Sequence, residues 1–136
     1  MIYEFEMFGE ITGKARPRMN TMTGKAYTPT KTKLYEYALR QQFLINYPNF
    51  KPIESRVKVK IIAYFDIPKS TSKKKEAEML SNKISPTKKP DIDNIIKIVL
   101  DGMNKFAFKD DTQVVELEVK KLYSTTPKIY IKIEEI

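Results

Sequence analysis

Five of the six aspartates lie between residues 88 and 111, in "KKPDIDNIIKIVLDGMNKFAFKDD", although the chain has a formal net charge of +8. Carboxylates gathered this closely repel one another, so their concentration points to a positive group that normally sits among them. A metal ion is the simplest such group. Hard cations such as Mg²⁺ take oxygen ligands and are commonly held through one or two carboxylates together with water and substrate phosphate. If the fold brings Asp111 to Asp91 and Asp93, the three form an oxygen-only cluster of that kind. A calcium-binding loop of the EF-hand type also begins D-x-D, but it needs an acid or amide fifth and a glycine sixth. Ile95 and Ile96 occupy those positions, which excludes it.

The chain has no histidine and no cysteine. That removes the usual general base near neutral pH, thiolate nucleophiles, disulfides and cysteine-ligated zinc or iron–sulfur sites. Site chemistry therefore rests on Asp, Glu, Lys, Arg or Tyr. Twenty-five Lys and Arg against seventeen Asp and Glu make a polyanion the natural partner, although a merely solubilising lysine-rich surface has the same composition.

A helix must carry the first acids. At 100° per residue, Ile92, Ile95, Ile96, Val99, Met103 and Phe106 fall in one apolar arc, with Asp93, Lys97, Asp101 and Asn104 in the opposite one. Pro90 suits a helix start, and Asp91 follows it at the cap or in the first turn, where a carboxylate meets free N–H groups and can be purely structural. Asp93 and Lys97 stand at i and i+4. On a solvated face such a pair contributes only about 0.3–0.5 kcal/mol; beside a metal-binding cluster the same lysine serves as a cation for a phosphate. "FKDDTQVV" then turns the chain back, with Asp110 and Asp111 at the mouth of a strand.

The surrounding elements follow from their periods. "YEFEMFGEI", "RVKVKIIAYF", "QVVELEVKKLY" and "KIYIKIEEI" alternate as half-buried strands, and the last two, joined by "STTP", predict a hairpin. A helix runs from Thr30, as its cap, to the "NYP" that stops it. "TGKARPRMNTMTGKAYTPT" lacks periodicity and reads as a loop; its Lys14, Arg16, Arg18 and Tyr27 are candidates for contact with a nucleic acid, if that is the polyanion. Residues 68–90 form an exposed, mobile Lys/Ser/Pro-rich connection with a short helix over "KKKEAEML", where Lys73, Lys74 and Lys75 are further candidates for phosphate contact.

At 136 residues, one domain spanning 1–136 is expected, able to bury roughly two thirds of its unfolded surface. The acidic start is unlike a signal peptide, and no apolar run reaches membrane-spanning length. The element order predicts an α+β domain: a mixed or antiparallel sheet of about four strands packed with two or three helices.

"KPDIDNIIKIVLDGMNKFAFKDDTQVVELEVKK" closely resembles the core of the RusA family of Holliday junction resolvases. D-x-D-N-x-x-K, an Asp four residues after the Lys, and D-D-x-Q-V-V stand in the family's order and spacing, and weaker similarity reaches "GKARPRM", "YTP" and "IPKSTSKKK". The resemblance implies a small homodimeric endonuclease dependent on Mg²⁺, for which Mn²⁺ can substitute. Such an enzyme binds four-way junction DNA and nicks two opposed strands symmetrically, in DNA recombination and repair. The resemblance also implies a cytoplasmic protein, bacterial or encoded by a phage or prophage. It assigns the essential carboxylates to Asp91, Asp93 and Asp111 and the essential lysine to Lys97, with Asp101 and Asp110 also matching. Two other readings share parts of the pattern. A non-catalytic junction-binding module needs the basic surface but no acids, and another metal-dependent nuclease would act on other branched nucleic acid.

Overall fold

Alternation builds the sheet. The computed structural model describes residues 1–136. Strand β1 (Ile2–Phe8) buries Tyr3 and Phe5, β4 (Val57–Asp66) buries Val57, Val59, Ile61, Ala63 and Phe65, and β6 (Lys128–Glu135) buries Ile129, Ile131 and Ile133. With β5 (Val114–Ser124) they form one mixed sheet in the order β1-β6-β4-β5, in which β6 runs antiparallel to β1 and β4 while β5 runs parallel to β4.

The predicted hairpin between the last two strands does not form. β4 lies between them, and β6 enters the sheet between β4 and β1. Strands two places apart are separated by about 9.5 Å. Residues 125–127 make the link, and roughly 13 Å of extended chain from Ser124 to Lys128 is enough to cross the end of β4.

A parallel pair needs a long crossover, and the β4-to-β5 connection carries two helices, α2 (Lys73–Leu80) and α3 (Ile92–Met103). Helix α1 (Thr30–Asn46) packs against α3 and β1. Its Leu39 and Phe43 join Ile95, Ile98, Val99 and Met103 of α3 and the inward strand residues in one core of 19 buried side chains. Thr30 is the first helical residue of α1 rather than its cap; Pro29 precedes it, without a side-chain cap bond. Helix α2 falls on "KKKEAEML", with the Ser72 hydroxyl accepting the Lys75 N–H at 3.3 Å. Met79 and Pro86 anchor the otherwise exposed segment around it. The N-terminal loop is not wholly irregular, because β2 (Arg18–Met19) and β3 (Ala26–Tyr27) pair across a turn in which Gly24 has φ +68°. The result is an α+β domain with three helices and a mixed four-stranded sheet.

Candidate active site

The face that α3 buries differs from the predicted arc. Ile95, Ile98, Val99, Gly102 and Met103 are inside, Ile92 is exposed, and Phe106 lies beyond the end of the helix, where Lys105 takes φ +69°. Gly102 explains the rotation: a Cβ there would stand 3.2 Å from Leu39 Cδ1, so α1 packs closely along that flank. Asp93 and Lys97 remain on the open side.

Asp91 is the N-cap residue of α3, yet its carboxylate makes no cap bond; only its backbone carbonyl accepts, from Ile95 N–H at 3.1 Å. Its oxygens are therefore free, and the positive end of the helix favours negative charge there. Nor does the i, i+4 ion pair form: Asp93 and Lys97 are both exposed and are absent from the ten ion pairs of the protein, all of which lie within 4.0 Å.

The loop before β2 forms the opposite wall. Gly13 passes so close to α3 that a Cβ would stand 2.6 Å from Pro90 Cβ and 3.0 Å from Asn94 Cβ. Lys14 donates its backbone N–H to Asn94 O at 2.9 Å, and Ala15 N–H donates to the hydroxyl of buried Thr32 at 3.3 Å. The Lys14 ammonium bridges Glu36 at 2.7 Å and Asp101 at 3.1 Å. Burial works against its charge, but the bonds and attraction to the two carboxylates outweigh that, and its pKa is raised. Lys14, considered above for DNA contact, is thus committed within the protein. Arg16 and Arg18 are exposed.

Two adjoining clefts result. One, of about 440 Å³, is lined by Arg16, Asp91, Asp93, Asn94, Lys97 and Asp101 among others. Its neighbour, about 650 Å³, adds Arg18, Lys31 and Lys89. Tyr27 is half exposed and pairs with Arg18 across the small hairpin. Lys73, Lys74 and Lys75 are exposed at the start of α2 and line neither cleft.

Asp111 stands elsewhere. It opens a short 3₁₀ turn, Asp111–Gln113, fastened to the beginning of β4 by Gln113 Nε2 donating to Ile53 O and Ser55 O, both at 2.7 Å. The Asp91 end of α3 instead lies by the finish of β4 and β5, where Lys121 Nζ donates to Lys88 O and both lysines stand over the Phe65 ring. Because α3 runs back against β4 and β5, its length of about 18 Å separates Asp111 from Asp91. Consequently no three acidic side chains of one chain are placed to share a metal ion, and the three-aspartate cluster does not assemble within a single chain. Asp110 is structural: its carboxylate accepts the Thr112 hydroxyl at 2.7 Å and its N–H donates to Gln113 Oε1 at 2.8 Å. The Thr112 bond holds its pKa low, outweighing burial.

Asp91 and Asp93 nevertheless fit a hard cation. They offer uncommitted oxygens only, and Mg²⁺ needs no more than one or two carboxylates where water and phosphate complete its shell. Asp101 is less available, being paired with Lys14. Glu36 escaped the sequence reading, although α1 carried a signal: Thr32, Glu36, Leu39 and Phe43 form its buried stripe, and a carboxylate in such a stripe requires a partner.

A family model described as endodeoxyribonuclease RusA matches residues 9–134. The uncharacterized protein YqaN of Bacillus subtilis (strain 168) is 34% identical over 140 residues, covering 98% of this chain and 96% of that one. The crossover junction endodeoxyribonuclease rusA of Lactococcus phage r1t is 28% identical over 135 residues, covering 98% and 97%.

Proposed function

The chain belongs to the RusA family of endodeoxyribonucleases, and from that premise we propose that it resolves four-way DNA junctions as a dimer, by paired Mg²⁺-dependent nicks in opposed strands. The observation that carries this reading is the groove at the start of α3, where two carboxylates without partners share a wall with Lys97 and Arg16. The name of the phage relative supports a junction as the substrate.

Asp91 and Asp93 are the residues that would hold Mg²⁺, or Mn²⁺ in its place. When bound, the ion lowers the pKa of a coordinated water and neutralises charge on the phosphoryl oxygens. Lys97 lies one turn along the same open face and has no acid of its own, so its ammonium supplies positive charge to the scissile phosphate or the departing 3′-oxygen. Arg16 and Arg18 offer guanidinium groups to flanking phosphates, a geometry that positions DNA without reading its sequence. Lys14 fixes the loop that carries them. Tyr27 presents a ring beside Arg18. Lys73, Lys74 and Lys75 attract the outer arms through a salt-sensitive term.

The test is cleavage of a synthetic immobile four-way junction beside linear duplex of the same sequence, with Mg²⁺ and with EDTA. Paired metal-dependent nicks in the junction alone support a resolvase. Tight junction binding without cutting under any divalent ion favours a binding module instead. Asp93→Asn should abolish cutting and leave junction binding intact or tighter, because a charge that repels phosphate is gone.

A further inference from the structure

Beside the groove the chain sends out an arm that stands clear of the core. Every residue from Arg16 to Tyr27 is exposed, and the hydrogen bonds of residues 20–25 all close within the β2–β3 hairpin itself. The turn is nonetheless well ordered. Asn20 N–H donates to Lys25 O and Gly24 N–H to Asn20 O, both at 2.8 Å, while the Asn20 side-chain oxygen accepts Met22 N–H at 2.9 Å and Thr23 N–H at 3.3 Å. What this turn presents is apolar: Met22 is 94% exposed and Met19 63%. Asn and Gly serve such a turn for backbone reasons, but nothing in its geometry asks for a methionine.

The charge around the tip has one sign. No acid occurs between Glu10 and Glu36, and of the basic residues in that interval, Lys14, Arg16, Arg18, Lys25, Lys31 and Lys33, only Lys14 is in an ion pair. An apolar tip among uncommitted cations fits a partner with phosphates outside and flat apolar faces between them, which describes the stacked bases of DNA. The root of the arm is fixed to the site: Gly13 lies against Pro90 and Asn94, and Arg16 and Pro17 line the groove that holds Asp91 and Asp93. Met22 follows soon after Pro17 and stands at most about 18 Å from it, so tip and groove meet the same short stretch of DNA.

We propose that the hairpin tip is a wedge: Met22, backed by Met19, enters between bases at the branch point of a junction, with Arg18 and Lys25 on the flanking phosphates. The proposal rests on the junction-cutting role above and deepens it by naming what tells a branch from a duplex. Parting stacked bases is costly in a linear duplex and least so where strands exchange and the stack is already broken. A thioether chain is apolar and flexible enough to fill such an irregular gap. The wedge therefore seats at a branch, and the fixed root then brings the scissile phosphate to Asp91, Asp93 and Lys97.

The test uses junctions that carry 2-aminopurine, whose emission rises when the base leaves the stack, either at the branch point or deep in one arm. Wild-type protein in EDTA, where no strand is cut, should raise emission from the branch-point probe and leave the arm probe unchanged. Met22→Ser should lose that rise, and its single-turnover cutting at saturating protein should fall about tenfold or more. Met22→Leu, which keeps the tip apolar, should restore both. Circular dichroism, the urea midpoint and the salt slope of binding should match wild type in both variants, which separates a wedge from a structural or phosphate-binding role. A rise in emission that survives Met22→Ser, cutting by Met22→Ser at the wild-type rate, or an equal rise from the arm probe would overturn the wedge. A wild type that cuts junctions without any rise at the branch point overturns the wedge and leaves the proposed function standing. A rise at the branch point without cutting under any divalent ion does the reverse.

Discussion

Lys14 and Arg16 are two residues apart in a basic loop, and the structure gives them opposite environments. The Lys14 ammonium is enclosed between Glu36 and Asp101, whereas Arg16 is exposed over the groove. Lys14→Met should therefore lower stability by roughly 1–3 kcal/mol in urea unfolding, since a largely buried Glu36 loses its nearest partner and keeps only Arg40, at 3.6 Å. Arg16→Ala should leave stability within about 0.5 kcal/mol. Its effect should appear in DNA binding, as a fall in the salt slope of about one. The pH dependence of the lysine has a definite sign. Its folded pKa is raised above the ordinary 10.5, so its contribution is complete below that pH and is lost as the pH rises through the folded value. The stability gap between wild type and Lys14→Met should accordingly be flat across neutral pH and narrow only in alkali. Asp110 behaves oppositely: its pKa is lowered from 3.8, and what it adds is present above that pH and lost as acid carries the solution through the folded value.

At the level of elements, the site depends on how closely the basic loop approaches α3. Gly13→Ala places a methyl group 2.6 Å from Pro90 Cβ, so the loop or the helix start must move. A cost of roughly 1–3 kcal/mol is expected, with junction cutting falling more than junction binding, as measured by single-turnover cleavage and gel shift. Gly102→Ala meets only the tip of Leu39 at 3.2 Å and should be milder in the same assays. These elements were largely legible beforehand, because alternation in β1, β4 and β6 states which residues face inward. Their neighbours were not. Alternation is silent about pairing, and the short "STTP" link suggested a hairpin where the chain instead steps over β4. The acids were legible to the same extent. Asp91, Asp93 and Lys97 share a groove because one helix spaces them, whereas Asp111 is placed by a crossover whose direction local sequence does not encode. Contacts such as Lys14 with Glu36 and Asp101 join distant segments, and only the buried position of Glu36 hinted at them.

Across the whole molecule, the same sheet that holds α3 ties the beginning of the chain to its end. β1 pairs with β6 from Ile2–Glu134 to Phe8–Lys128, and β6 is also the antiparallel neighbour of β4. Truncating Ile131 to Ala at this junction should cost about 2–5 kcal/mol in denaturant unfolding, because the side chain is fully buried with Phe5 of β1 and Ile61 of β4 as its partners on the neighbouring strands. Pairing so remote along the chain also predicts slow folding for a domain of this size, measurable by stopped-flow refolding. During translation the consequence is stricter. Until β6 has left the ribosome, β1 has no partner and β4 lacks one neighbour, leaving the apolar rows of both strands without a finished sheet. Nascent chains stalled before Lys128 should remain open to protease, and resistance should appear in a single step once the last strand emerges.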